Sequence, residues 1–180
     1  MMRLLLMVMR SRFSHLLQAV SFDIRVAMSV RVQTEDFDAG FEINQLRKAR
    51  RDVGAVVSFV GQVRDINDGN EISQLTLEHY PGMTEKSLHA IITRAKERWN
   101  IMDVLIIHRV GTLQPCDQIV MVAVSGGHRG EAFAACEFVM DYLKTEAPFW
   151  KKEVTQSGER WVEDKASDDD ARERWNKTVK

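Results

Sequence analysis

The stretch QIVMVAVSGGHRGEAFAACEFVMDYLKTEAPFWKKEV, residues 118–154, decides the fold. Residues 118–127 form a β-branched, apolar run continuous enough for a central strand. The next segment, HRGEAFAACEFVMDYLKTE, reads as a long helix. Pro148 disfavours helix at Ala147 and turns the chain away, so FWKKEV returns as a short strand. Two lysines, Lys144 and Lys151, stand in this apolar context. With Phe133 as zero and ~100° per residue, Cys136, Met140 and Leu143 fall within about a quarter-turn on one side, and Lys144 about 20° on the other. Lys144 is therefore expected to point with the buried stripe, standing in a pocket or snorkelling to its rim. With period two, Lys151 shares a face with Phe149 and Glu153, and Lys152 shares one with Trp150 and Val154. A turn at Pro148 can aim Lys144 and Lys151 into one cleft.

Working outward, SGGHRG (125–130) is a glycine-rich strand-to-helix junction without the ending of a P-loop or dinucleotide motif; its glycines either serve only the turn, the commoner case, or let backbone amides and the helix end hold an anion. His128 and Arg129 add donors suited to phosphate or carboxylate. Upstream, GAVVSFVGQVR (54–64) reads as a strand running into the turn DINDGN and ending at Arg64. ISQLTLEHY (72–80) returns as a strand that alternates Ile72, Gln74, Thr76 and Glu78 against Ser73, Leu75, Leu77 and His79. FEINQLRKARR (41–51) gives a short helix on Phe41, Leu46 and Ala49. Thr84 is the expected N-cap of a second long helix carrying Leu88, Ile91, Ile92, Ala95 and Trp99. DVLIIHRVG (103–111) adds a further strand. FWKKEV and RWVE form a hairpin, and SDDDARERWNK a solvated terminal helix. Helices and strands do not alternate strictly, so the expected class is α+β, with a mostly antiparallel sheet, two main packed helices and a small additional β subdomain.

Among 180 residues, 44% are hydrophobic and 28% charged, which suits one globular domain. A formal charge of -1 gives no general attraction to nucleic acid or to an anionic membrane, so any anion site must be local. No apolar run reaches the ~20 residues that span a bilayer. Cys116 and Cys136 lack CxxC spacing and are expected to be small buried residues in a reducing cytoplasm. The histidines show no metal-ligand spacing, and no serine sits in a nucleophile elbow, so neither metal nor cofactor is expected. Residues 1–27 are read as an extension upstream of a start at Met28, with residues 28–180 forming the single domain.

GAVVSFVGQVR, LTLEHYPGMTEKSL, IHRVG, SGGHRGEAF, MDYLKTEAPFWKKE and GERWVE, in that order, resemble the large, catalytic subunit of molybdopterin synthase, the MoaE family. The resemblance runs from about Met28 to Trp175. It implies an α/β hammerhead-type fold and a homodimer. Each protomer also binds a small ubiquitin-like subunit with a thiocarboxylated C-terminal glycine, giving a heterotetramer. It further implies a sulfurtransferase that passes two sulfurs from that tail to cyclic pyranopterin monophosphate, forming the dithiolene of molybdopterin. Matched by position, Lys144 and Lys151 are the catalytic lysines. Gln62, Val63, Arg64, His128, Arg129, Lys152 and Glu153 contact substrate, although Gln62 stands where the family often has lysine. The chain closes on NKTVK without a diglycine, so the sulfur donor is expected on a separate chain. A non-catalytic scaffold for the ubiquitin-like partner, or a generic phosphate-ligand module, are the alternatives. The intact lysines speak against both.

Overall fold

The computed structural model describes residues 29–48, 50–67, 69–162 and 166–176. Residues 1–27, the proposed start at Met28 and Ala49 lie outside that set. Two sheets and four α-helices are built from the described residues. The first sheet has the order β1 (Val30–Gln33), β5 (Ile101–Arg109), β7 (Gln118–Gly126), β2 (Ala55–Gln62). β1 runs parallel to β5, and the other pairs are antiparallel. Successive residues of β5 and β7 serve opposite faces. Val104, Ile106, Val120, Val122 and Val124 pack under helices α2 (Met83–Arg98) and α3 (Arg129–Glu146). Leu105, Ile107, Met121 and Ala123 pack under Phe37 and helix α1 (Ala39–Arg47). Cover on both faces is why these strands read as continuous apolar runs. β1 was not legible in the sequence, since its four residues carry little pattern of their own.

Three expectations are corrected here. Helix α1 buries Ile43 and Leu46 against the sheet, while Phe41 is exposed. Helix α2 is capped at Gly82, with φ 81°, whose amide donates to the Glu85 carboxylate at 2.6 Å. That left-handed backbone suits glycine. Thr84 instead lies fully buried, its hydroxyl donating to the Tyr80 carbonyl at 2.9 Å. Cys116 is exposed, in a turn with φ 74°, while Cys136 is buried as expected.

The second sheet has the order β3 (Ile66–Asn67), β4 (Asn70–His79), β8 (Phe149–Thr155), β9 (Gly158–Val162), and β6 (Gly111–Leu113) also pairs with β4. A register shift between Ile72 and Gln74 turns Ile72 inward with Leu75 and Leu77, where strict alternation groups it with Gln74. Val63, Leu75, Leu77 and Leu113 form a small core joined by Ile119 of β7. The terminal segment, α4 (Ala166–Glu173) followed by a 3₁₀ turn, is docked rather than merely solvated. Trp175 meets Trp99 and Phe138 edge-on, and its indole donates to Asp141 at 2.7 Å. Among the described residues no helix is long and apolar enough to cross a membrane.

Candidate active site

Helix α3 ends at Ala147, whose ψ of 127° is the extended backbone that a following proline favours. β8 begins two residues later and pairs with β4, placing Leu77 opposite Lys151 and Leu75 opposite Glu153. The turn thus brings Lys144, at the helix end, and Lys151, on the strand, to the same place. Both line two adjoining cavities. One, of about 170 Å³, is a largely apolar slot walled by Phe59, Gly61, Met140, Leu143 and Phe149, among others. The other, of about 360 Å³, is lined by Gln62, Val63, Arg64, Asn67 and Glu153 as well as the two lysines. Ile119 is shared too, so the lysine pair stands at the border between an apolar and a polar compartment.

Lys144 does not belong to the buried stripe. Its side chain is 45% exposed, and Phe133, the residue used to set the helical phase, is itself 62% exposed. The buried arc is centred on Ala135, Val139 and Tyr142, so Lys144 lies at the cleft's rim. There its ammonium pairs with Asp168 of α4 at 3.1 Å.

Arg64 is held by a relay across three strands. Its guanidinium donates to Asn67 Oδ1 at 3.0 Å, and Asn67 Nδ2 donates to Glu153 Oε1 at 2.7 Å. Glu153 is buried, and its other oxygen accepts from Arg160 of β9 at 2.9 Å. A buried carboxylate is tolerable when paired in this way. The end of β2 is fixed as well: the Val63 amide donates to Asp117 and its carbonyl accepts from Cys116, both at 2.9 Å.

Two sequence-derived assignments are not brought to this cleft. Lys152 projects from the opposite face of β8, paired with Glu159 at 2.9 Å and above the Trp161 ring. His128 and Arg129 stand at the start of α3, and Lys144 near its end; fifteen residues at 1.5 Å each separate them by about 22 Å within one chain. The junction itself is tight, since a Cβ at Gly54 would lie 2.3 Å from the Gly127 carbonyl oxygen.

Asn67, Arg160, Asp168 and His108 were missed in the sequence. DINDGN reads as a loop, and nothing local shows that one of its asparagines reaches Glu153. His108 is 3% exposed, and its ring stacks on Phe149 at 3.7 Å while lining the slot. Burial, reinforced by the Lys151 charge, pushes its pKa down to about 4. Burial pushes the Cys136 thiol up to about 11, which keeps it an inert packing residue.

Fold and cleft together define the class: a mixed α+β protein that gathers Arg64, Lys144 and Lys151 at a polar compartment beside a largely apolar slot. The model of the MoaE protein family matches residues 32–146, and the chain belongs to that family. It is 62% identical over 147 residues to the molybdopterin synthase catalytic subunit of Ralstonia nicotianae, covering 82% of this chain and 84% of that protein. It is 54% identical over 148 residues to the protein of the same name from Pseudomonas aeruginosa, covering 82% and 99%. The solved molybdopterin biosynthesis MoaE protein from Burkholderia ambifaria MC40-6 superposes with a TM-score of 0.72 at 55% identity, covering 84% of this chain and 99% of that one.

Proposed function

We propose that this chain is the catalytic subunit of a molybdopterin synthase, acting in molybdenum cofactor biosynthesis. It transfers two sulfurs in succession to cyclic pyranopterin monophosphate, one from the thiocarboxylated tail of each of two small ubiquitin-like subunits, each tail leaving as a carboxylate. The observation that carries this reading is the lysine pair at the border of the two compartments. The slot has a small volume and an apolar lining that suit a narrow glycine tail. The polar compartment, with Arg64, suits a phosphate-bearing pterin. Lys144 and Lys151 then lie where tail and pterin meet. Their ammonium groups hold the anionic sulfur terminus beside the pterin side chain and offset charge developing on oxygen as sulfur attacks. Asp168, paired with Lys144 in the free protein, yields that ammonium to the incoming anion.

Gln62, Val63 and Arg64 are the substrate-side strand end, and Glu153 acts through Asn67 to aim Arg64. Lys152 is left out of the side-chain set because it faces away. His128 and Arg129, about 22 Å along α3 from the lysine of their own chain, join a site by belonging to the second protomer of a homodimer. Two such chains and two small subunits make a heterotetramer. Residues 28–180 form the working unit, and the compartment is the cytoplasm.

Reconstitution with thiocarboxylated small subunit and the cyclic pterin, following dithiolene product, tests the assignment. Lys144→Ala is expected to lower product formation more than about a hundredfold while dimer and small-subunit binding persist. Turnover within a few-fold of the wild type would remove Lys144 from the mechanism.

A further inference from the structure

His108 is a core histidine by burial but not by bonding. Its Nδ1 lies 2.8 Å from the Arg109 carbonyl oxygen, and a carbonyl only accepts, so Nδ1 carries the proton. Stacking on Phe149 fixes the ring plane. The neutral ring then has one lone pair, on Nε2, and among the described residues that nitrogen has no hydrogen-bond partner. The ring lines the slot.

The remaining lining is informative. Phe59, Ile119, Val120, Leu143, Ala147 and Phe149 offer no polar side-chain atom, and Lys144 and Lys151 only donate. Among the described lining residues His108 supplies the sole side-chain nitrogen or oxygen able to accept a hydrogen bond. A volume of about 170 Å³ corresponds to about six waters at ~30 Å³ each, enough for a thin extended chain and too little for a folded element. Any peptide entering such a slot loses water from its amides, and an N–H left unpaired there is costly. The lysines satisfy its terminal anion but cannot serve an N–H.

Resting on the functional reading above, we propose that His108 Nε2 accepts a hydrogen bond from a main-chain N–H near the end of the small subunit's glycine tail, and so sets how far the tail slides in before its sulfur meets the lysine pair. The low proton affinity of the ring supports this role, since the acceptor stays unprotonated at neutral pH beside Lys144 of α3, Lys151 of β8 and His79 of β4. His108 is thus a binding residue for the tail, and its effect falls on tail affinity rather than on pterin affinity.

The test is calorimetric binding of the full-length protein to small subunit with an unactivated carboxylate tail. His108→Phe keeps an aromatic ring against Phe149 and removes the acceptor; affinity is expected to fall about tenfold, with binding of the cyclic pterin unchanged. His108→Gln, which returns an acceptor, is expected to recover part of the loss. A second arm leaves the core untouched. Semisynthetic small subunits carry an ester oxygen in place of the N–H at the last or, separately, the penultimate residue. One of the two esters is expected to bind the wild-type protein about tenfold more weakly, and to cost the His108→Phe variant nothing further. Wild-type affinity for both esters overturns this contact even where the histidine variant fails to fold. Binding indifferent to His108 overturns it as well. Absence of any binding to the wild-type protein overturns the functional reading, and this contact with it.

Discussion

At neutral pH the His108 imidazole is uncharged, because ionising a ring 3% exposed, with Lys151 nearby, means desolvating a cation next to another. This has a measurable signature in stability. The folded pKa is about 4 and the unfolded value about 6.5, so between those limits the unfolded chain binds the extra proton. The contribution is fully present above about pH 6.5 and is lost as the pH falls toward 4, by about 3 kcal/mol at most. Urea unfolding midpoints across that window are expected to fall more steeply for the wild type than for His108→Phe, which has nothing to protonate there. Parallel pH profiles would show that His108 is not neutral by burial. The same residue marks a limit of sequence reading. A lone histidine in IHRVG has no local sign that its strand is central, or that Phe149 of another sheet will close over it. Lys151 and Glu153 were legible because strand alternation is a local rule. Lys144 was mis-phased because Phe133 was taken as core, and an aromatic on a helix carries no label saying which face is covered.

At the scale of elements, the cleft depends on one turn and one relay. Pro148 ends α3 and starts β8, and this was legible since the proline acts on its immediate predecessor. The relay from Glu153 on β8 through Asn67 on β3 to Arg64 was not, because it joins residues 86 positions apart in the chain. The register shift at Ile72 was equally hidden: an extra residue in a strand has no signature in a pattern that still alternates on both sides. The relay predicts a specific phenotype. Asn67→Ala removes the only side chain placed between Glu153 and Arg64 among the described residues, leaving Arg64 free to sample other rotamers. The KM for the cyclic pterin is expected to rise about tenfold, with affinity for the small subunit unchanged, if the tail takes the other compartment as proposed. An unchanged KM would mean that Arg64 needs no such support. A parallel loss of small-subunit affinity would mean that β3 contributes to docking as well.

At the scale of the molecule, the fold class and the order of the main strands and helices followed from periodicity and breakers, whereas the placement of His128 and Arg129 did not. The sequence puts them one helix away from Lys144, and a helix is a rigid rod: about 22 Å separates its two ends whatever the rest of the chain does. Either the pair serves another purpose or it serves the lysines of a second protomer, and the two possibilities differ in what mixed dimers do. Lys144→Ala and Arg129→Ala are each expected to inactivate the homodimer that carries them. In a mixed dimer with the pair acting across the interface, the site using the Arg129→Ala chain's own lysine receives an intact His128 and Arg129 from the Lys144→Ala chain. That site is whole, and the other lacks both groups. Equal amounts of the two chains, unfolded and refolded together, are therefore expected to regain about a quarter of wild-type turnover, since half the dimers are mixed and each has one working site of two. If the pair acted within its own chain, every site in every dimer would lack one group, and the mixture would stay as inactive as its components.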